Sequence, residues 1–448
     1  MAAIDAWRRH LANVMAGPVA ARVSETPVPD LALVTESPAA PPRRSLFGPL
    51  REPLFRSLWI AAVVSYTGSW MQNVGAAWLM TSLTMSPLMV GLVQAANSIA
   101  VFLIVLPAGA IADVVDRRKL LLLTQLWMVF AAAALGILTV AGVVTPTLLL
   151  LFTFLMGFGA VLNDPAWQAI TPEIVSRENF ASGIALNSAG FNVARAIGPA
   201  IGGLVIYAAG SGIAFLLNAV SFFGVIYFLY RWKCRPGLTS LSFRQTFDTM
   251  VDGFRHLRGS HAMHAVLVRS AVFSISGSAL LALLPLIAHP FGSQGFGLLL
   301  GVFGVGAMVG AAIMPILRRT MSVDALVAVS TAIFALTTYA GGRWCGFLPM
   351  SLTLFVAGIA WIQILASLNV SAQTMSPHFM RARAISMYLL VLQGGFAGGA
   401  ALWGAIAERV GMQRSLAYAS IGLLAGIMAT LWFRLHPLPV APNVIGMD

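Results

Sequence analysis

Arg195 is the residue whose placement most needs a chemical explanation, because it is the one charged side chain between Asn179 and Tyr230. A lone guanidinium in an apolar segment requires an anion or several carbonyl oxygens around it. Two readings stay open: Arg195 stands at a binding cavity, or it pairs structurally with neighbouring helix carbonyls or with Asp164. Uncharged amides recur in the other apolar segments, as Gln72, Asn73, Gln94, Asn97, Asn187, Asn192, Asn218, Gln363 and Gln393. Such residues either bind a ligand by hydrogen bonds or join neighbouring helices at about 0.6 kcal/mol each. Trp70, Trp78, Phe102 and Trp361 offer ring faces for an aromatic ligand or for packing. Catalysis has little to work with. His261 and His264 are the one close histidine pair and have no carboxylate beside them, and no glycine-rich phosphate loop occurs. Two cysteines make neither a disulfide scaffold nor a four-ligand zinc site. No catalytic residue, metal or cofactor is expected, and the chain is not read as an enzyme.

The elements that must position these residues follow from charge. The chain has 448 residues, 27 basic and 15 acidic, so 9% are charged, against roughly 25% in a soluble domain. With 58% hydrophobic residues it is neither a water-soluble globule nor a disordered chain. A bilayer core of about 30 Å needs about 20 apolar residues per helix, and a charge at mid-depth costs about 2.5 to 3.5 kcal/mol. Charge-free runs therefore count crossings. Ser57 to Ala112 is split by the turn-like Thr81 to Pro87, Leu120 to Asn163 by Gly142 to Pro146, Asn179 to Tyr230 by Gly210 to Gly212, and Ser270 to Leu317 by His289 to Gly295. The runs 325–342, 344–380, 384–407 and 415–433 supply one helix each. The expected fold is all-α, an integral membrane protein of twelve transmembrane helices in two six-helix halves.

Basic residues orient it. The segment before Ser57, the 117–119 connection, Arg177, the 231–258 connection and Arg318, Arg319, Arg381, Arg383 and Arg434 place 22 of 27 on one face. Positive loops mark the cytoplasmic side, so a multi-pass protein of the plasma (inner) membrane with both termini inside is expected. The net charge of +12 is thereby spread over inner loops and does not indicate nucleic acid. Cys234 and Cys345 fall on opposite faces and are not expected to pair. Residues 1–50, with seven prolines and no apolar period, read as a disordered cytoplasmic tail. The halves are 51–230 and 263–434, joined by a cytoplasmic linker at 231–262, and 435–448 form a C-terminal tail. Gln168 to Pro172 recurs as Gln373 to Pro377, and Gly190-Phe191 as Gly395-Phe396, at one offset of 205. Parallel repeats of this kind hold a substrate cavity at their interface near the bilayer midplane.

After the second span the chain reads Gly109-Ala-Ile-Ala-Asp113-Val-Val-Asp116-Arg117-Arg118-Lys119-Leu-Leu121. This resembles the inner-loop motif of the major facilitator superfamily, with Val114 and Asp116 replacing the usual Arg and Gly. Asp113, Asp116, Arg117 and Arg118 can form charge-assisted pairs that latch the inner side closed, with Gly109 allowing close helix approach. A plain positive-inside anchor is the other reading. The fifth span carries Gly190, Arg195, Gly198, Pro199, Gly202 and Gly203, similar to the antiporter motif of exporters in that superfamily; ordinary glycine-rich packing is the alternative. Gly68 to Asn73, Leu83 to Pro87, Asp164-Pro165 to Val175 and Leu186 to Pro199 resemble the enterobactin-exporter-like branch, the transmembrane secretion effectors.

That resemblance implies export of a small amphipathic molecule such as a siderophore, drug or metabolite, by alternating access of a monomer in the lipid bilayer, with protons as the coupled partner. Import or symport, and a non-transporting receptor or scaffold, are the alternatives. The residues themselves show no proton carrier, since Asp113, Asp164 and Glu408 read as lying at helix ends. The family's arginine of the fourth span is also absent, because Leu148 to Asn163 is uncharged.

Overall fold

The computed structural model describes residues 47–176, 178–232, 261–343, 346–375, 381–430, 433 and 435. The tail before Phe47, most of the 231–262 linker, Arg177, Cys234, Cys345 and nearly all of 435–448 lie outside the described residues, as do the side chains of Gly109 and Asp113.

Helix boundaries follow local chemistry. A short 3-10 turn at Gly48–Arg51 leads into α1 (Pro53–Leu83), and α2 (Pro87–Val114) begins where Ser86 accepts a hydrogen bond from the Met89 amide and Pro87 fills the first turn. Asp116 caps α3 (Arg117–Val140) through the Lys119 amide at 3.0 Å. After Gly142, at φ 71°, comes α4 (Pro146–Ile174). The 52-residue α5 (Phe180–Arg231) is two helices joined across Gly210, whose φ of 83° and ψ of 164° no helix tolerates. Then follow α6 (His261–Ile287), a 3-10 turn at His289–Phe291, α7 (Gly292–Thr320), α8 (Val323–Gly341), α9 (Phe347–Thr374), α10 (Arg381–Val410) and α11 (Met412–Thr430). The breaks expected near Thr81, Gly142, Gly210 and His289 all fall within or beside these junctions. The fold is all-helical among the described residues, and nine of its helices are long and apolar enough to cross a membrane.

A bilayer offers no water to a hydroxyl, so the helices absorb their own. Thr67 donates to the Val63 carbonyl at 2.8 Å, Ser270 to Val266 at 2.6 Å and Thr331 to Val327 at 2.7 Å, each one turn back. Amides and indoles join helices. Asn218 donates to Gln72, Gln125 to Asn163 at 3.1 Å, Gln363 to the Gly310 carbonyl at 2.7 Å and Trp403 to the Ile275 carbonyl at 2.8 Å.

Taken in chain order as one group of helices, α1–α5, and a second, α6–α11, the two meet chiefly where α2 lies on α10 and α5 on α7. In the first group Phe55, Leu121, Ile170 and Leu229 are buried together; in the second, Phe273, Phe334, Trp361 and Tyr388. Where α1 begins, Glu52 accepts hydrogen bonds from Asn179 at 2.8 Å and from the Ser176 hydroxyl at 2.8 Å, fixing the start of α1 to the α4–α5 connection. Those donors, Asn179 foremost, hold its carboxyl below the usual glutamate range. This contact therefore stabilises the fold above the ordinary glutamate pKa and fades as pH falls through the lowered value.

Arg269, read as lying at the edge of a span, has its charge answered locally. It pairs with Asp324 at 2.6 Å and donates Nε to the Phe433 carbonyl at 2.9 Å, while Asp324 accepts from the Leu435 amide at 3.1 Å. The cluster draws the chain after α11 onto α6 and the start of α8. Truncating Arg269 leaves Asp324 without its cation, though Asp324 keeps 32% exposure, so the cost falls below that of a fully buried pair, at about 2 kcal/mol. Thermal unfolding in detergent should show Arg269→Ala melting several degrees lower. An unchanged midpoint would mean that the pair is replaced by solvent without loss.

Candidate functional site

Between the two helix groups lies a cavity of about 440 Å³. Its wall on α1 carries Ser65, Tyr66, Ser69, Trp70, Gln72 and Asn73, and α2 adds Gln94, Asn97 and Ser98. From α3 and α4 come Gln125, Thr153, Asn163, Asp164 and Trp167; α5 contributes Phe191 and Phe222, and the second group contributes Ser278, Leu281, Trp361, Gln393 and Phe396. A second chamber of about 250 Å³ shares Trp70, Asn73, Gln94, Asn97, Thr153, Leu281 and Trp361 with the first and adds Arg195, Pro199, Pro285, Phe296, Leu300 and Phe303. The two adjoin through these shared residues, and Arg195 stands on the wall of the second, midway between Phe180 and Gly210.

One end of this space is closed by close packing. Gly203 on α5 and Gly297 on α7 meet so tightly that a Cβ on Gly297 would lie 2.4 Å from the Pro199 carbonyl oxygen and 2.8 Å from the Gly203 Cα. Gly91 and Gly404 bring α2 and α10 together in the same way. Outside them, Ser86 donates to both carboxylate oxygens of Glu408 at 3.1 Å, and Trp78 stacks on His289 at 5.6 Å between centroids and on Phe296 at 6.1 Å. All these contacts lie away from the end that bears Glu52. Toward that end Asp164 and Phe191 are exposed although they line the cavity, which is how an open vestibule registers, while Asn73 and Gln94, nearer the closed end, are exposed to the cavity itself.

The guanidinium of Arg195 lies over the Trp70 ring at 5.7 Å and has no hydrogen-bond acceptor or carboxylate among the described residues. Asp164, the other partner open from sequence, does not pair with it. Below Trp70 the rings continue: Phe191 meets Trp70 at 6.4 Å and Tyr66 at 5.3 Å, and Tyr66 meets Trp167 at 6.4 Å, all edge-on. One wall is thus an aromatic track ending at a cation, a surface on which a planar or apolar group can slide toward a site that attracts negative charge.

Of the amides singled out from sequence, Gln72, Asn73, Gln94, Asn97 and Gln393 line the space. Asn187, Asn192 and Gln363 do not belong to the described lining. Asn192 is exposed and donates to the Ser188 carbonyl at 2.8 Å, Gln363 is buried against α7, and Asn187 is half-buried on α5 with a partner of its own. Gln72 both lines the cavity and bonds to Asn218, so its carbonyl is committed to a neighbouring helix. Gly190, Gly198 and Gly202 fit α5 against Trp59, Trp70 and Met71 of α1, whereas Gly203 faces α7. At the α2–α3 connection Arg118 donates to the carbonyls of Leu229 and Tyr230 at 2.7 Å, Asp116 caps α3, and Arg117 is engaged as well. Sequence reading missed the carboxylate on the wall. Counting charge-free residues ended the fourth span at Asn163, while α4 runs on to Ile174 and carries Asp164 on its cavity side.

Known proteins share this architecture. Residues 44–443 match the family model described as transmembrane secretion effector. The enterobactin exporter EntS of Escherichia coli O1:K1 / APEC is 25% identical over 382 residues, covering 83% of this chain and 89% of that one. The staphyloferrin A transporter of Staphylococcus aureus is 22% identical over 278 residues, covering 60% of this chain and 69% of that one. Among solved structures, the nucleoside transporter NupG superposes with a TM-score of 0.68 at 16% identity over 85% of this chain and all of that one. A bacterial homologue of the lysosomal transporter Spinster, inward-facing and unoccupied, gives 0.64 at 16% identity over 86% of this chain and 95% of that one. These relatives are membrane transporters and not enzymes. With an internal cavity between two helix groups and a family match along nearly the whole length, the chain belongs to the transmembrane secretion effectors, a branch of the major facilitator superfamily of multi-pass transporters for small molecules.

Proposed function

We propose that the protein is a secondary active exporter of a small amphipathic molecule bearing an anionic group, working by alternating access. The observation that carries this reading is the internal space, closed by glycine packing at one end and exposed at the other, with Arg195 on its wall free of any carboxylate among the described residues. In this reading 51–230 and 263–434 are six-helix halves joined by the linker 231–262, the hairpin at Gly210 supplying two of twelve crossings. The predominance of basic residues at the open end makes that end cytoplasmic, with both termini there, in a plasma (inner) membrane. The protein acts as a monomer, since the cavity is complete within one chain, and the proton gradient drives it. Asp113, Asp116, Arg117 and Arg118 are the inner latch, and the glycines of α5 are the packing face on which the halves rock.

The named cargoes of the relatives make enterobactin and staphyloferrin A the first compounds to try. Inside-out membrane vesicles containing the protein should accumulate radiolabelled enterobactin or staphyloferrin A when their interior is made acid. Loss of compound from preloaded vesicles under the same gradient would identify an importer instead. No movement of any tested amphipath in either direction would favour a receptor or scaffold.

A further inference from the structure

Asp164 is the one acid among the residues lining the central cavity. It stands inside α4, next to Pro165 and well before the helix ends at Ile174, and it has no hydrogen-bond or ion-pair partner among the described residues. Its surroundings are accounted for. From α1 comes Tyr66, the other titratable group of the lining; from α2, Asn97 and Ser98; from α3, Gln125, already bonded to Asn163. On α5 the charged group is Arg195, which lines the second chamber and lies over Trp70, and α10 presents Gln393. Arg118 at the start of α3 spends its donors on the carbonyls of Leu229 and Tyr230, and Arg117 beside it lies outside the lining. No cation of the lining neutralises this carboxylate.

An unpaired carboxylate is tolerated in the conformation seen because the open vestibule hydrates it. When the space closes at both ends, as alternating access requires, the same ion loses its water with nothing in exchange, which is among the costliest events available to a side chain. Two things remove that cost: a proton on the carboxylate, or an O–H or N–H donor of a bound substrate.

We propose that Asp164 is the coupling residue of transport, occupied in turn by a proton when the cavity returns empty and by a hydrogen-bond donor of the substrate when it returns loaded. The inference rests on the exporter reading and adds to it a substrate class: a dipolar amphipath with an anionic group for Arg195, an apolar or aromatic body for the track from Trp167 to Trp70, and a donor for Asp164. One proton is released to the vestibule as one substrate molecule takes its place, and one is taken up from the opposite side as the substrate leaves. The ionised carboxylate is never closed in alone.

The experiment compares wild type, Asp164→Asn and, as a control at an exposed carboxylate just before α5, Glu178→Gln in proteoliposomes, with radiolabelled enterobactin as the probe. Counterflow without a pH gradient measures reorientation of the loaded protein; accumulation under an imposed gradient measures coupling. For one proton per substrate, one pH unit supports about tenfold accumulation. Wild type and Glu178→Gln should reach it. Asp164→Asn, whose neutral amide crosses with or without cargo, should retain counterflow and show an accumulation ratio of about 1. Gradient-driven accumulation by Asp164→Asn would overturn the assignment and leave the exporter reading intact. Loss of its counterflow as well would show a binding or structural role and overturn it too. Absence of counterflow in wild type would overturn the exporter reading for this cargo, and the assignment with it.

Discussion

Replacing Gly297 with valine is expected to lower transport by at least about fivefold while leaving the protein folded. The first atom of any side chain at 297 would fall 2.4 Å from the Pro199 carbonyl oxygen and 2.8 Å from the Gly203 Cα. Both are backbone positions that cannot swing aside as a flexible side chain would. Relieving the overlap means separating α5 from α7, and overpacking of this kind costs about 1 to 3 kcal/mol. A penalty paid only in the conformation with this end closed shifts the balance between states by about 5- to 150-fold, without touching the cavity. Cysteines at 86 and 408, whose native side chains are in hydrogen-bond contact, report the closure: oxidation should cross-link them readily beside Gly297 and poorly beside Gly297→Val. Gly398→Ala is the control, because a Cβ there meets nothing within 4 Å, and it should transport normally. Equal cross-linking in all three backgrounds would show that the outer end is held shut by something other than this helix crossing.

The second large effect is expected at Arg195. Its guanidinium has a ring on one face and open cavity around it, so it loses no protein partner when removed. A substitution should therefore act on the ligand far more than on the fold. Arg195→Leu is expected to weaken binding of an anionic amphipath by about 10- to 100-fold, the equivalent of about 1.4 to 2.7 kcal/mol. Arg195→Lys should recover part of this, since a point charge replaces the planar fork but stacks less well on Trp70. Trp70→Ala should cost less than Arg195→Leu, because a cation–π contact is worth about 0.5 to 2 kcal/mol and the charge itself survives. Binding titrations with an anionic compound and its neutral ester separate the contributions. If both lose equally in Arg195→Leu, the residue shapes the chamber and does not read charge.

Much of the fold was legible because membranes punish charge and turns have a chemistry. Thr81 to Pro87, Gly142 to Pro146 and His289 to Gly295 could be placed as breaks because proline, glycine and capping serine act locally. Gly210 was visible for the same reason, although its two flanking helices read as one long element by their hydrogen bonds. The cavity was legible in part. Gln72, Asn73, Gln94, Asn97 and Arg195 stand out as polar residues in apolar runs, and they line the space. Gln363 and Asn192 stand out equally and do not, since the facing direction of an amide depends on how its helix is rotated in the bundle. That rotation is set by packing across sequence-distant helices, such as Gly358 of α9 against the Phe303 carbonyl of α7, which no local pattern records. Asp164 was hidden by a different cause. A charge at the end of an apolar run looks like the end of a helix, yet α4 continues past it, so its depth depended on helix length beyond the apolar stretch.

Trp78, His289, Phe296, Ser86, Glu408 and the four crossing glycines make the closed end almost entirely from packing and stacking. Glu408 is the one carboxylate among them, and its partner is a neutral hydroxyl that also caps α2. Salt screens attraction between ions and does little to interlocked backbones. The frequency with which this end opens should accordingly be nearly independent of ionic strength, while an inner end held by arginines and aspartates should loosen as salt rises. In the proposed orientation, an organism whose surroundings swing between fresh and saline water would then keep the outward face of this protein sealed to the same degree, and feel the change only on the side where its own cytoplasm sets the salt.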